Sequence, residues 1–170
     1  LLIGSKTFLT CGQQADIGLV VCRTDTDPIA GAKAFSILIV EDGMAGFERG
    51  RNLEKMGMKA QDTSELFFND VKVPKDNLLG EAGMGFIYLM RELPQERLSI
   101  AVSAVAACEA VIQETVKYVK QRTAFGKTIA DFQHTQFKLA ELEAEVTVMR
   151  VFIDRCAELL VKKELSTVEA

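Results

Sequence analysis

The chain has 170 residues, 48% of them hydrophobic and 26% charged, a balance typical of a globular protein with a substantial core. Its net charge is -4 and no segment concentrates Lys and Arg, which argues against a nucleic-acid partner. The four cysteines form no CxxC pair and only His134 could join them, so we expect no metal site; no apolar run approaches the roughly 20 residues of a membrane span.

Short apolar runs separated by turn residues occupy the first 80 residues and predict β-strands. A segment at 6–12 is typical of a strand that runs into a turn. Further runs lie at 17–22, 34–40, 64–68 and 71–73. Gly, Asp and Pro recur between these runs, which indicates an antiparallel sheet of the sandwich or barrel kind.

After Gly85 the pattern becomes helical, with only Pro94 and Gly126 as interruptions. Apolar residues at helical spacing predict two long helices, over about 98–119 and 131–163. The predicted stripes are Ala101, Val105, Cys108, Ile112, Val116 and Val119 on the first helix, and Phe137, Ala140, Ala144, Val148, Val151 and Phe152 on the second. Two such helices leave apolar faces without a partner, and the chain begins at Leu1, so we expect a piece of a longer molecule, an oligomer, or both.

The predicted fold class is therefore α+β, with strands and helices segregated along the chain. Residues 1–80 would form an antiparallel β-domain, and residues 81–170 the long antiparallel helices of an incomplete helical bundle. The chain has no βαβ alternation and no GxGxxG motif, so a Rossmann cofactor site is not indicated.

Glu96 is the first candidate for chemistry. On a continuous helix it lies three residues after Leu93 and four before Ile100, close to an apolar stripe, where a carboxylate is costly unless it is paired or used as a base. If the helix instead begins at Pro94, Glu96 is a first-turn residue that complements the helix dipole. On the residues alone, this second interpretation is favoured.

Two further segments have both a structural and a functional interpretation. The segment 122–127 could be a helix end with a Gly stop, or a guanidinium from Arg122 beside the aromatic Phe125, suited to a nucleotide. Thr10 could be a turn hydroxyl, or with Phe8 it could contact a flat heterocycle.

Taken together and in this order, the motifs resemble the acyl-CoA dehydrogenase family. The similarity runs from Gly4-Ser5-Lys6 through Lys55-Met56-Gly57, Asp62-Thr63 and Asn77-Leu78-Leu79-Gly80 to Glu96-Arg97, 122–127 and Gln133. The resemblance implies a subunit with a helical domain, a middle β-domain and a C-terminal helical bundle, of which this chain would be the middle domain and the first helices of the bundle.

The pattern Leu93-Pro94-Gln95-Glu96-Arg97 is most similar to the long-chain branch of the family. In that branch, and in the isovaleryl branch, the base lies on this helix. The resemblance implies that Glu96 is the catalytic base and that Pro94, Gln95 and Arg97 line the acyl-CoA site. The backbone N–H of Glu96 is then a candidate donor to the thioester carbonyl.

The resemblance also implies an FAD cofactor. Phe8-Leu9-Thr10 stands where the family has Trp-Ile-Thr beside the flavin, so Phe8 replaces a Trp. Arg122 and Gln133 match residues that reach the FAD of a neighbouring subunit, and Ala124 departs from a usual Thr.

The implied function is FAD-dependent α,β-dehydrogenation of long-chain fatty acyl-CoA thioesters to trans-2-enoyl-CoA in fatty acid β-oxidation. The implied assembly is a homotetramer with no membrane span that passes electrons to an electron-transferring flavoprotein. It would lie in the mitochondrial matrix of a eukaryote or the cytoplasm of a bacterium. The alternatives are an isovaleryl-CoA or branched-chain dehydrogenase, and a helical scaffold of the same fold without catalysis.

Overall fold

Five antiparallel strands form the first part of the chain, and the computed structural model describes all 170 residues. The strands are β1 (Leu2–Thr10), β2 (Ile17–Arg23), β3 (Phe35–Glu41), β4 (Phe47–Asn52) and β5 (Thr63–Val71). They make a three-stranded sheet in the order β1-β5-β4 and a two-stranded sheet of β2 and β3. All five lie in a compact unit, Leu1–Leu89, and the remaining residues form a second unit, Met90–Ala170.

A single apolar cluster joins the two sheets of the first unit. Its buried members come from both sheets and are Leu2, Val20, Val40, Leu66, Phe68 and Val71. The ring of Phe47 on β4 stacks on Phe68, with 5.3 Å between ring centroids. The predicted α+β class, with antiparallel strands followed by long helices, is confirmed.

Strand β5 is longer than the sequence predicts. The sequence predicts separate runs at 64–68 and 71–73, but β5 is continuous from Thr63 to Val71. The register against β1 shifts between Leu2 and Gly4, and Asp70 has φ 55. Asp tolerates the left-handed conformation, so Asn69-Asp70 forms a β-bulge inside the strand in place of a turn.

Strand β4 was not predicted at all. Its sequence contains Arg49, Gly50 and Arg51 and shows no alternation of apolar and polar residues. Gly50 indicates a turn in the sequence, but in the structure it allows close strand packing. A Cβ at Gly50 would lie 2.7 Å from the ring of Phe67, which leaves no room for a side chain.

The second part of the chain is dominated by two helices, α1 (Gly85–Gln121) and α2 (Gln133–Val161). A short hairpin of β6 (Thr123–Ala124) and β7 (Lys127–Thr128) follows α1. Helix α1 passes without interruption through Pro94. The helix therefore does not begin at Pro94, and because proline has no N–H, the carbonyl of Met90 lacks its usual helical donor.

Helices α1 and α2 run antiparallel and bury a narrow seam. The seam residues Leu98, Val105 and Ile112 recur every seven residues on α1 and pack with Val146, Ile153 and Cys156 of α2. Seven-residue spacing is typical of long helices packed side by side. Of the stripe predicted on α1, Val105, Ile112 and Val119 are buried, whereas Cys108 is exposed.

The stripe predicted on α2 is wrong. Its members are exposed, with Phe137 65% and Val148 69% accessible, and the residues that face α1 lie on another side of the helix. Helix α2 carries two apolar stripes, and periodicity alone does not say which of them meets α1. The stripe of Phe137, Val148, Val151 and Phe152 is exposed.

Helix α1 is long and apolar enough, by length and composition, to cross a membrane. This differs from the sequence expectation that no run reaches the length of a span. One such helix is a weak indication, because the core helices of globular proteins pass the same test. Here Leu98, Val105 and Ile112 of α1 are buried against α2.

An ion pair links the two helices at the middle of the seam. Arg150 of α2 donates from Nε and Nη2 to the two carboxylate oxygens of Glu109 on α1, at 2.7 and 2.5 Å. Both side chains are about two-thirds covered, with 30% and 35% exposure. The hydrogen bonds from Arg150 lower the pKa of Glu109 below its usual value.

We expect this pair to make the stability of the helix pair depend on pH. A lowered pKa in the folded state means stabilisation that is present above the unfolded pKa and is lost as pH falls through the folded pKa. Glu109→Gln should therefore flatten the acid side of the Tm-against-pH curve. The control is Glu114→Gln. Glu114 forms an ion pair with Lys117 at 2.6 Å, and both side chains of that pair are exposed. Superimposable acid-side curves for the wild type and Glu109→Gln would contradict the assignment.

Candidate functional site

The end of strand β1 presents an aromatic ring and a hydroxyl to solvent. The register against β5 shifts between Lys6 and Leu9, so β1 contains one extra residue there. Phe8 has φ 64 and its side chain is 78% exposed, and Thr10 is exposed at the last position of the strand. A left-handed aromatic residue is strained, and such strain tends to occur at functional sites.

A tight hairpin follows helix α1 and fixes the backbone of Arg122. Its turn residues Phe125 and Gly126 have φ 52 and 78, as a two-residue turn of type I′ requires. The N–H of Arg122 donates to the carbonyl of Tyr118 at 2.9 Å, and its carbonyl accepts from Ile129 at 2.8 Å. Gly126 is therefore a hairpin residue, and its interpretation as a helix stop is wrong.

The side chains around this hairpin leave a cation and an aromatic ring accessible. Arg122 is exposed and takes part in none of the chain's ion pairs. The Phe125 residue is 96% exposed, and its backbone has a positive φ. An unpaired guanidinium close in sequence to an exposed aromatic suits a phosphate-bearing heterocycle.

The segment between the hairpin and α2 is stiffened by local contacts. The carboxylate of Asp131 accepts from the hydroxyl and the N–H of Thr128 at 2.7 and 2.9 Å, which lowers the pKa of Asp131. Phe132 packs edge-on against Phe125 with 6.4 Å between centroids, and the ammonium of Lys127 lies 4.2 Å from the centroid of Phe132. Gln133 follows as the exposed first residue of α2.

Glu96 lies in the interior of α1 and is exposed. At 3.6 residues per turn, it is about 200° around the helix from the buried seam residue Leu98. Its nearest apolar neighbours on its own face are Leu93, which is half-buried, and Ile100, which is 71% exposed. Leu93 and Ile100 therefore do flank Glu96 on its own face of the helix, and Ile100 is exposed.

The continuous helix contradicts two further expectations about Glu96, its first-turn position and its free N–H. Because α1 begins at Gly85, Glu96 is not a first-turn residue, and the helix-dipole interpretation is wrong. An N–H in a helix interior donates to the carbonyl four residues earlier, so the N–H of Glu96 is not free to serve as a donor to substrate. Beside it, Gln95 and Arg97 are exposed and Pro94 is half-buried.

The predicted residues thus fall into three local groups. Residues Phe8, Leu9 and Thr10 share a strand end of the first unit. Residues 94–97 share one turn of α1, and Arg122 and Gln133 flank the hairpin segment. The sequence does not predict the positive φ of Phe125. The only local signal is the glycine that follows it, Gly126, which is typical of a turn. Sequence reasoning also missed Asp62 and Arg49, which no spacing connects to Thr10.

Comparison with known proteins identifies the family of this chain. Residues 83–170, slightly more than half of the chain, match the family model of the acyl-CoA dehydrogenase C-terminal domain, and residues 1–71 match that of the middle domain. The mitochondrial long-chain specific acyl-CoA dehydrogenase of Mus musculus is 53% identical over 98% of this chain, which spans 39% of the mouse protein.

Solved structures of acyl-CoA dehydrogenases also match most of the chain. The acyl-CoA dehydrogenase of Geobacillus kaustophilus matches 95% of this chain with a TM-score of 0.92 and 50% identity, and the match covers 43% of that protein. Butyryl-CoA dehydrogenase of Megasphaera elsdenii matches 98% of the chain with a TM-score of 0.90 and 38% identity, again over 43% of its length. From its two domain matches and these likenesses, the chain belongs to the acyl-CoA dehydrogenase family.

Proposed function

We propose that the protein containing this chain is an FAD-dependent dehydrogenase of long-chain fatty acyl-CoA thioesters that works in fatty acid β-oxidation. The family is FAD-dependent, and its members are oligomeric enzymes that bind acyl-CoA. The observation that carries the proposal is the 53% identity to the mouse long-chain specific enzyme over nearly the whole chain. The exposed Glu96-Arg97 pair on α1 supports it.

The residues of the chain fit an FAD cofactor. The exposed ring of Phe8 and the hydroxyl of Thr10, with Leu9 between them, would contact the flavin. Arg122, which has no ion-pair partner, would pair with the pyrophosphate, and Gln133 would donate a hydrogen bond. When bound, FAD would supply the acceptor for a hydride from the substrate β-carbon.

Glu96 acts in this proposal as a general base. Its carboxylate takes the proton from the α-carbon, while the β-hydrogen leaves with its electron pair, so that the α,β double bond of trans-2-enoyl-CoA forms. Pro94, Gln95 and Arg97 hold the acyl-CoA next to the base. Because Glu96 is exposed within this chain, bound substrate and other parts of the protein have to exclude water from it.

The proposed assembly is a homotetramer in which Arg122 and Gln133 reach the FAD of a neighbouring subunit. Electrons then pass to an electron-transferring flavoprotein. The mouse relative is named as mitochondrial. We propose that the protein works in the mitochondrial matrix if its source is a eukaryote, or in the cytoplasm if its source is a bacterium.

The substrate class is tested by steady-state kinetics on the full-length protein with an artificial electron acceptor. We expect kcat/KM for a long straight-chain acyl-CoA to exceed that for isovaleryl-CoA by at least about tenfold, because even one additional methylene in an apolar pocket contributes about that much discrimination. A preference for isovaleryl-CoA would favour the branched-chain alternative. A protein that retains no flavin and turns over neither thioester would be a non-catalytic scaffold.

A further inference from the structure

We propose that Asp62 and Arg49 are positioning residues that fix the turn at 11–15 and, through it, the strand end Phe8–Thr10. This inference rests on the proposed contact between that strand end and the flavin. Neither residue is part of the proposed cofactor or substrate contacts. All of the contacts involved lie within the first unit.

Asp62 is a buried carboxylate, 7% exposed, whose two oxygens both serve the turn. Its Oδ2 accepts from the backbone N–H of Gln13 at 2.7 Å, and its Oδ1 accepts from the side-chain amide of Gln14 at 3.1 Å. Its backbone carbonyl accepts from the N–H of Cys11 at 3.3 Å. No cation pairs with Asp62, so hydrogen bonds from the turn are what offset the cost of burying this group.

Arg49 of strand β4 holds the same turn from another side. Its Nε donates to the carbonyl of Gly12 at 3.0 Å, and its Nη2 donates to the carbonyl of Ala15 at 2.7 Å. The guanidinium is itself fixed by Asp42, at 2.6 Å, and is 24% exposed. The side chain of Gln13 adds a bond to the carbonyl of Gly50 at 2.8 Å. The turn is therefore tied to β4 as well as to Asp62.

The backbone on both sides of Leu9 and Thr10 is strained. Phe8 and Cys11 have φ 64 and 60, and they bracket Leu9 and Thr10. Gly12 is buried so closely against β5 that a Cβ there would lie 3.1 Å from the Cβ of Ser64. Left-handed non-glycine residues persist only where surrounding contacts over-determine the backbone. The hydrogen bonds of Asp62 and Arg49 supply contacts of this kind.

Loss of these anchors would let Phe8 and Cys11 relax toward negative φ. The hydroxyl of Thr10 and the ring of Phe8 would then move away from the positions the flavin contact needs. A bound group is positioned well only when the residues that support its contacts are themselves fixed. Asp62 and Arg49 would thereby affect the flavin without touching it.

The test compares Asp62→Ala with Asp62→Asn in the full-length flavoprotein. Asn can accept from the Gln13 N–H through its oxygen and donate its amide N–H to the side-chain oxygen of a flipped Gln14, so both hydrogen bonds survive. We expect Asp62→Ala to weaken FAD retention about tenfold and to shift the visible absorption bands of the flavin-loaded fraction. The Asp62→Asn variant should keep the wild-type FAD retention and the wild-type absorption bands.

Arg49→Met is the second variant, since it removes the donors to Gly12 and Ala15 while keeping an apolar stem. It should shift the flavin spectrum in the same way and keeps the test open if Asp62→Ala does not fold. Thr10→Val reports on the flavin contact itself. If Thr10→Val shifts the spectrum but Asp62→Ala and Arg49→Met do not, the positioning role is overturned and the proposed function stands. A Thr10→Val spectrum equal to that of the wild type would overturn the flavin contact and this inference with it.

Discussion

Glu96→Gln in the full-length protein should fold, retain FAD and bind acyl-CoA, yet reduce its flavin slower by a factor of about 10²–10⁴. Gln has nearly the shape of Glu but cannot accept the α-proton, so only the chemical step should suffer. Glu96 is exposed on α1 and makes no side-chain ion pair within the chain, so little stability should be lost. Anaerobic rapid mixing with a long-chain acyl-CoA measures the step as bleaching of the flavin absorption.

Glu92 provides a matched control for this experiment. It is an exposed Glu one turn earlier on the same helix, and the same substitution there changes the charge by the same amount. We expect Glu92→Gln to bleach at nearly the wild-type rate. Equal bleaching rates for Glu96→Gln and the wild type would mean that the base lies elsewhere in the protein, and the long-chain assignment would then rest on the sequence identity alone.

Arg122→Ala should weaken FAD binding by about 10- to 100-fold while leaving the chemistry of the flavin-loaded fraction nearly unchanged. A hydrogen bond to a charged group contributes about 1.5–3 kcal/mol, and each 1.4 kcal/mol corresponds to about a factor of ten. The backbone of Arg122 is held by Tyr118 and Ile129, so truncation of the side chain should leave the hairpin in place. The affinity for FAD is obtained by measuring, from the flavin absorption, how much FAD is released during dialysis.

Two variants separate a specific contact from a general loss of positive charge. Arg122→Lys keeps the charge but not the planar fork, and it should bind FAD with intermediate affinity. Lys120→Ala removes a neighbouring exposed cation near the end of α1 and should bind FAD as the wild type does. If Arg122→Ala retains FAD with unchanged affinity, the pyrophosphate assignment is wrong.

The sequence predicts those parts of the fold that depend on local pattern. Runs of β-branched residues gave β2 and β3, and long unbroken helical periodicity gave α1 and α2. Strand β4 escaped prediction because its pairing depends on β5 and on the close approach that Gly50 permits. The wrong stripe on α2 has a similar cause, since its choice of face is decided by the seam on α1 and not by α2 itself.

The candidate site was predictable to the extent that its residues follow one another in the chain. Phe8-Leu9-Thr10 and Glu96-Arg97 are short motifs, and the structure keeps each group on one element. The anchors Asp62 and Arg49 are 34 or more positions from the turn residues they bond, and only the folded sheet brings them together. The helical position of Glu96 also depended on whether α1 continues through Pro94, which a local pattern leaves open.

The central claim is that the protein transfers hydrogen from a long-chain acyl-CoA to bound FAD. The most direct test is an anaerobic titration of the full-length wild-type protein with a long saturated acyl-CoA, in which flavin absorption and the acyl product are measured together. The proposed function predicts loss of the oxidised flavin absorption with one enoyl-CoA formed for each flavin reduced. A flavin that stays oxidised at saturating acyl-CoA, with no enoyl-CoA formed, would contradict it.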